Sequence, residues 1–415
     1  MKPGTLQRAS AVALFVITLA AISVTWRQDF WATSLPEVSL FSLAGVWLIA
    51  CIVNAAPLRL GFVLIPLVAA ACWPLLQLAT GATIYRWGTS VAVLYWAANA
   101  AVVFVGLQVF GDPGIRRGYQ RALVVAGLVL GVVAPLQKFT AQGKIFWLFP
   151  TLYPVTVMGP FVYENHYAAF IELVLPVALT GAFSDRAGWR TLHGLAAVVM
   201  YASVFASSSR TGFILTTLEV LVVPALAAKR AGIGWRQMAV SAAIFLGMLG
   251  VLGMSVGPEG LYVRLRQKNP YGGRREYMES SLRMIRDKPL LGVGMGNWSV
   301  AYPAYTTFDD GFYANEAHSD WAQWAAEGGL PFAVLMLSAA VWSFPRALRT
   351  GWGIGVAVVF LHCFVDFPVK PMGVAVVFFS LMAAIAYPDD AADREGRLRR
   401  PVPFRRSAEA AGGAL

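Results

Sequence analysis

Several short polar stretches interrupt a very apolar sequence and carry residue types that can do chemistry. His318 stands in YANEAHSDWAQWAAEGG, Arg210 in FASSSRTGF, and the neighbours Arg274 and Arg275 in RREYMESSLRMIRDK. Guanidinium groups pair with phosphate oxygens through parallel hydrogen bonds, and an imidazole side chain exchanges protons near neutral pH. Together these residue types predict a site that handles a phosphorylated substrate and transfers a proton.

Two further stretches place polar side chains beside long apolar runs. GPFVYENHYAAFIEL contains Glu164, Asn165, His166 and Glu172, and HCFVDFPVK contains Asp366. A carboxylate inside an apolar helix is costly and needs a partner or a water-filled cavity. These residues are therefore candidates for substrate binding, with helix capping and structural polar pairs as the alternative.

The rest of the chain predicts an all-α integral membrane protein. Of its 415 residues, 58% are hydrophobic and only 13% are charged, whereas soluble domains have about 25% charged residues. Apolar runs of roughly 20 residues match the thickness of a bilayer, where helices satisfy their own backbone hydrogen bonds. We predict about twelve transmembrane helices, which begin near Ser10, Val38, Phe62, Ser90, Ala122, His166, Thr191, Thr211, Gln237, Gly329, Gly351 and Met372.

The distribution of lysine and arginine predicts the orientation. If the N-terminus is cytoplasmic, more than half of these residues fall in cytoplasmic segments and few in the short outer loops. We therefore expect a multi-pass protein of the bacterial inner membrane, with both termini in the cytoplasm and the polar stretches facing the periplasm. The net charge of +11 then follows mostly from topology, and because the sequence predicts no soluble basic domain, we expect no nucleic-acid partner.

One long loop after the ninth span is the sizeable segment outside the membrane. Apolar residues at Met278, Leu282 and Ile285 predict an amphipathic helix. A second helix should begin at Ser319 or Asp320, end at the glycines before span ten, and bury Trp321 and Trp324. The predicted division is 1–256 (helices 1–9), 257–328 (periplasmic loop), 329–388 (helices 10–12) and 389–415 (basic cytoplasmic tail).

A glycine-rich segment, PLLGVGMGNW, separates the two loop helices. It does not follow a strand, so the sequence does not support a dinucleotide-binding motif. We interpret the segment as a turn, with contact between its backbone amides and a phosphate as the alternative.

The polar stretches, taken in order, resemble the bacterial O-antigen ligase and polysaccharide polymerase superfamily. The resemblance rests on ENHYAAF, SSSRTGF, the amphipathic helix with PLLGVG, AHSDWAQWAAEGGLPF and HCFVDFP, and covers roughly residues 160 to 385. It implies a type-C-like membrane glycosyltransferase that inverts the anomeric carbon and uses neither metal nor cofactor. Arg210, Arg274 and His318 match the family's catalytic residues. Because Arg275 is adjacent to Arg274, the resemblance leaves open which of these two arginines corresponds to the family's loop arginine.

The resemblance also implies the substrates. The donor is a glycan linked to polyprenyl pyrophosphate, and the acceptor is a hydroxyl on lipid A–core, which corresponds to O-antigen ligation in lipopolysaccharide assembly. The alternatives are a polysaccharide polymerase, whose acceptor is another lipid-linked repeat, and a protein O-oligosaccharyltransferase. A flippase for lipid-linked glycans is the alternative from another class. We expect Arg275, His166, Asn165, Glu164, Asp366 and Trp321 to contact substrate, and His318 to act as a base or to orient the acceptor.

Overall fold

The computed structural model of the protein describes residues 3–387, except for 28, 55–57, 152–153, 155, 257–265, 267–271, 308–310 and 312. The predicted basic tail from residue 389 and most of the first part of the predicted long loop lie outside the described residues. Within the described ranges, the chain forms helices and two isolated β-bridges, and no β-strand.

Helices account for nearly all regular structure in the described ranges. The first nine are α1 (Pro3–Val24), α2 (Phe30–Asn54), α3 (Leu64–Thr80), α4 (Arg86–Val109), α5 (Pro113–Thr140), α6 (Glu164–Ser184), α7 (Ala187–Ser207), α8 (Arg210–Ala231) and α9 (Trp235–Val256). They are followed by α10 (Gly272–Asp287), α11 (Trp298–Ala301), a 3₁₀ turn (Tyr302–Ala304), α12 (Asp320–Thr350), α13 (Ile354–His362) and α14 (Met372–Ala384).

Each of the twelve predicted spans coincides with a helix of the structure. Seven helices in the described ranges are long and apolar enough to cross a membrane, by length and composition: α1, α2, α4, α5, α6, α8 and α12. Two of the other helices, α13 with 9 residues and α14 with 13, are shorter than the roughly 20 residues that a bilayer requires. The chain therefore has the character of a multi-pass membrane protein, and the number of twelve crossings stays a prediction.

Three helices form the centre of the bundle. In α6, 78% of the most apolar window is buried, compared with 28% in α1 and 22% in α2. Nearly every residue of α13 and α14 is buried as well. Because the residues of α6 and α13 are buried among other helices, the polar groups at the ends of these two helices lie against protein.

The long helix α12 folds back on itself at Gly329. The backbone of Gly329 has φ 75° and ψ 175°, which is far from helical, and the neighbouring amide of Leu330 donates to Pro289 O at 2.8 Å. Trp321 lines the same apolar groove as Phe344, although a straight helix would separate them by roughly 35 Å. The glycines predicted to end the second loop helix therefore reverse the chain, and the N-terminus of α12 lies beside α13.

The segment before α12 packs as a small cap on this bundle. Its own apolar cluster contains Met284, Val293, Trp298, Ala317 and Ala326, with tyrosines at its edge. Helix α10 contacts α12, and its apolar face is not the one predicted. Met284 is buried in this cluster and Ile285 packs against it, whereas Leu282, predicted to lie on the apolar face, is 44% exposed. The cap thereby holds α10 over the ends of α6 and α13.

Candidate functional site

The carboxylate of Asp366 is the centre of a polar cluster. Asp366 lies in the loop between α13 and α14, and its side chain is 0% exposed. Its Oδ2 atom is 3.1 Å from Nη2 of Arg274, accepts a hydrogen bond from the Tyr163 hydroxyl at 3.2 Å and accepts another from the Asn165 amide. Its Oδ1 atom lies 3.4 Å from Nδ1 of His318. One carboxylate thus gathers residues from three other parts of the chain.

The two neighbouring arginines of α10 have different surroundings. Arg274 donates to Val365 O at 2.8 Å and to the Tyr163 hydroxyl at 2.9 Å, in addition to its contact with Asp366. The Arg275 side chain is 81% exposed and pairs with Glu279 one turn later at 2.9 Å. The structure therefore brings Arg274 into the cluster and places Arg275 outside it.

His318 is fixed by its backbone and by aromatic rings. Its φ of 52° lies in the left-handed region, which residues other than glycine adopt uncommonly and often at functional sites. Its ring stacks on Tyr277, with centroids 5.7 Å apart and an interplanar angle of 14°, and meets Phe367 edge-on at 5.0 Å. The side chain is 26% exposed, so the ring is held in one orientation and remains accessible.

Three helix N-termini converge on the same place. Asn165 is in the first turn of α6 and accepts a hydrogen bond at 2.6 Å from Ser209, which caps α8. Ser319 caps α12, and the amide of Asp320 at its start donates to Asp366 O at 3.0 Å. Helix N-termini carry partial positive charge and favour anions, so the backbone adds to the charge of the arginines.

The other predicted site residues of α6 and α8 lie around this junction. Arg210 begins α8, directly after Ser209, and is half-buried. Glu164 begins α6 and is buried. The His166 ring contacts Phe367 at 4.8 Å between centroids, and its Nε2 atom is buried without a hydrogen-bond partner in the described part of the chain. The structure therefore brings these residues to the edge of the cluster.

Trp321 lies beside the cluster and outside it. Its indole nitrogen donates to Phe360 O at 3.0 Å, and its ring stacks on Phe364 at 5.4 Å. It forms one end of an apolar groove of about 330 Å³ whose other lining residues are Leu337, Ala340, Val341, Phe344, Phe360, Leu361 and Phe364. Trp321 was predicted to contact substrate, and the structure places it where only an apolar group can reach it.

The glycine-rich turn has a structural role. The amides of Gly296 and Trp298 each donate to the Glu327 carboxylate at 2.9 Å. The amides of Val293, Gly294 and Met295 donate to other acceptors of the protein. Because these five amides already have protein acceptors, the structure favours the turn over the phosphate-binding alternative.

Two tyrosines of the cluster were not singled out from the sequence. Tyr163 connects Arg274, Asn165 and Asp366 through its hydroxyl, and Tyr277 supports the ring of His318. Tyr163 directly precedes the polar stretch ENH, and Tyr277 stands between the loop arginines and Met278. Proximity to these motifs was the available signal, but tyrosine is common at membrane interfaces and the signal is weak.

The surroundings of Asp366 keep it ionised. Burial alone would raise the pKa of this carboxyl, but the neighbouring His318 and the Arg274 guanidinium lower the pKa well below its ordinary value. The ionised carboxylate pairs with the Arg274 guanidinium and faces Nδ1 of His318 at 3.4 Å. The cluster therefore presents an oriented imidazole beside a fixed cation.

Comparison with known proteins identifies one family whose model matches part of the chain. Residues 195–337 match the model of the family described as O-antigen ligase, a segment that includes Arg210, Arg274 and His318. No curated protein matches the sequence. The matched segment, about a third of the chain, supports the resemblance to the O-antigen ligase and polysaccharide polymerase superfamily found in the polar stretches.

Proposed function

We propose that the protein transfers a glycan from a polyprenyl-pyrophosphate carrier to an acceptor hydroxyl on the periplasmic face of the inner membrane. The acceptor in this proposal is lipid A–core, so the reaction is O-antigen ligation. The observation that carries the proposal is that Arg274 and His318, which both lie within the matched segment, share one buried carboxylate with α6. A fixed cation and an oriented base are the groups that such a transfer needs.

The geometry supports a division of roles within the cluster. Asp366 faces Nδ1 of His318 at 3.4 Å, so a proton on Nδ1 leaves the lone pair of Nε2 available to the acceptor. The acceptor oxygen attacks the anomeric carbon, its proton passes to Nε2, and the bond between that carbon and the pyrophosphate oxygen breaks. Attack opposite the leaving group inverts the anomeric configuration.

The leaving pyrophosphate gains negative charge as this bond breaks. In the proposal, Arg274 and Arg210, together with the helix N-termini of α6, α8 and α12, stabilise that charge. Arg274 is already held by Val365 O, Tyr163 and Asp366, so little reorganisation is needed at the moment of reaction. Fixed cations can fill the place that a divalent metal takes in other phosphate chemistry, and we expect chelators to leave the transfer rate unchanged.

The apolar groove supports a lipid-linked donor. It begins at Trp321, three residues from His318, and at Phe364, two residues from Asp366. Several of its lining residues are exposed on the surface of the bundle, among them Val341 at 64% and Phe364 at 57%. A polyprenyl chain whose pyrophosphate lies in the cluster would have an apolar path to the membrane along these residues.

Reconstitution of the purified protein tests the proposal. The protein is placed in lipid vesicles with a polyprenyl-pyrophosphate-linked glycan and lipid A–core, and the transferred glycan is measured. We expect transfer by the wild type, with or without a chelator, and none by Arg210→Ala. Movement of the donor between leaflets without transfer would instead indicate a flippase and contradict the proposal.

The identity of the acceptor distinguishes a ligase from a polymerase, and the phenotype of cells that lack the protein reveals it. Cells without a ligase should accumulate full-length glycan on the lipid carrier. Cells without a polymerase should carry single repeats on capped core. The second phenotype would reassign the protein within its superfamily and leave the proposed donor chemistry intact.

The two roles left open for His318 are separable by substitution. General-base catalysis contributes about 10²- to 10⁴-fold to a rate. If His318 is the base, His318→Ala should lower kcat within that range, and added imidazole should restore part of the activity. A loss of less than tenfold, with a raised KM for the acceptor, would show that His318 only orients the hydroxyl.

A further inference from the structure

A second polar pair lies between the same two helices as the cluster. Glu172 of α6 and His362, the last residue of α13, are both 0% exposed. The Nδ1 atom of His362 lies 2.9 Å from each carboxylate oxygen of Glu172. The mechanism proposed above uses neither residue, so their pairing inside the apolar centre of the bundle requires another explanation.

The pair is connected to Asp366 through the backbone. The amides of Val365 and Asp366 both donate to His362 O at 3.0 Å. The turn that carries Asp366 therefore begins at His362, whose side chain is paired with Glu172. A movement of His362 would displace the Asp366 carboxylate relative to Arg274 and His318.

Helix α6 contacts this turn at two levels. Asn165 and Glu172 are seven residues apart, which places them on one face of α6 about two turns from each other. Asn165 donates to the side chain of Asp366, and Glu172 pairs with His362. Between them they fix both ends of the segment 362–366 against α6.

Burial explains why such a pair would be retained. A carboxylate and an imidazole in an apolar interior are costly when unpaired, so only one alignment of α6 and α13 satisfies both. An apolar pair would pack as well but would tolerate sliding of one helix along the other. Gly355 of α13 meets the backbone of Glu172 so closely that an added Cβ would clash, so the two helices are in close backbone contact at the level of the polar pair.

We propose that Glu172 and His362 are positioning residues, which hold the turn 362–366 so that Asp366 keeps Arg274 and His318 in their catalytic arrangement. This inference rests on the proposed function, since it concerns the same site. It assigns a role to two residues that touch neither the donor nor the acceptor in the proposed reaction.

A double-mutant cycle with Asp366 tests the inference. Glu172→Gln and His362→Gln are each introduced into the wild type and into Asp366→Asn, and kcat and the donor KM are measured in vesicles. In the wild-type background we expect each to lower kcat about tenfold, with the donor KM within twofold. In the Asp366→Asn background, where the carboxylate is already lost, we expect less than a twofold further effect. The double variant Glu172→Gln/His362→Gln should lose no more than either single variant.

Glu37→Gln is the matched control. Glu37 is another buried carboxylate, 4% exposed, but it belongs to α2, which packs on α1 and α4. We expect its kcat to stay within twofold of the wild type. A similar loss in Glu37→Gln would show that any buried carboxylate matters equally, and would overturn the inference.

The remaining outcomes separate the inference from the proposed function. If the wild type transfers no glycan, the proposed function fails. If the wild type transfers and Glu172→Gln is equally active, only the inference fails. An equal loss of kcat in the wild-type and Asp366→Asn backgrounds would mean that the pair acts independently of Asp366, which also overturns it.

Discussion

Two buried carboxylates a short distance apart in the sequence have opposite surroundings. Glu327, 4% exposed, accepts hydrogen bonds from the backbone amides of Gly296 and Trp298 and a longer one from the Gln323 side chain. Asp366, 0% exposed, instead faces the side chains of Arg274, Asn165 and His318. Glu327 ties a glycine-rich turn to α12, whereas Asp366 ties together side chains that have their own chemistry.

The difference teaches how to distinguish a structural carboxylate from a functional one. Backbone amides cannot leave a carboxylate without unfolding the segment, so Glu327 is a fixed part of the cap. Asp366 also accepts a hydrogen bond from the Phe367 amide at 3.0 Å, but its other partners are side chains, and one of them, His318, remains 26% exposed. Burial alone would rank the two carboxylates alike, whereas the nature of their partners separates them.

The largest expected effect distinguishes the two arginines of α10. Arg274→Ala removes the cation held by Asp366 and should lower kcat about 10²- to 10³-fold, as loss of a preorganised charge does. Arg275→Ala is the matched control, because it removes the same side chain from the next, exposed position. We expect its kcat to stay within twofold of the wild type in the reconstituted transfer assay. A larger loss of kcat in Arg275→Ala than in Arg274→Ala would show that Arg275, and not Arg274, is the catalytic arginine.

Replacing each of the two carboxylates, Asp366 and Glu327, by the corresponding amide tests directly whether one is functional and the other structural. Asp366→Asn should lower kcat roughly 10- to 100-fold, because the group that orients a catalytic side chain is lost. Glu327→Gln should lower the free energy of unfolding by about 1–3 kcal/mol, because charged acceptors of backbone amides are lost. Its kcat per folded molecule should stay within threefold of the wild type. Thermal unfolding and transfer, measured on the same preparations, check both expectations, and a reversed pattern would contradict the distinction.

The smallest expected effect concerns a third carboxylate, Glu276 of α10. Burial alone would raise the pKa of Glu276, but hydrogen bonds from Thr307 and Arg283 lower it to about 2 from an ordinary 4.5. A depressed folded-state pKa stabilises the fold above about pH 4.5, and this contribution is lost as the pH falls toward 2. The difference in melting temperature between the wild type and Glu276→Gln should therefore be full at pH 7 and shrink between pH 4.5 and pH 3. A difference that does not change over this range would show that Glu276 is not held as an anion.

Much of the helix pattern was predictable because it depends on local composition. The apolar runs predicted a helix at every one of the twelve positions, and Ser319 caps α12 as one of the two residues named for that role. The pattern did not reveal that α13 and α14 are short and central, since hydropathy alone does not distinguish lipid from protein as the surroundings of an apolar helix. The sequence also did not reveal the reversal of α12 at Gly329, although it placed a break there.

The sequence alone determined which residue types are present that can bind phosphate and transfer a proton, and it contains the segment 195–337 that matches the O-antigen ligase family. Which of them meet was decided only by the tertiary structure. Arg274 and Arg275 are neighbours in the sequence, but successive side chains of a helix point about 100° apart, and only Arg274 reaches Asp366. The partner of Glu172 lies 190 residues away, because contacts between distant helices depend on packing, which local patterns do not encode.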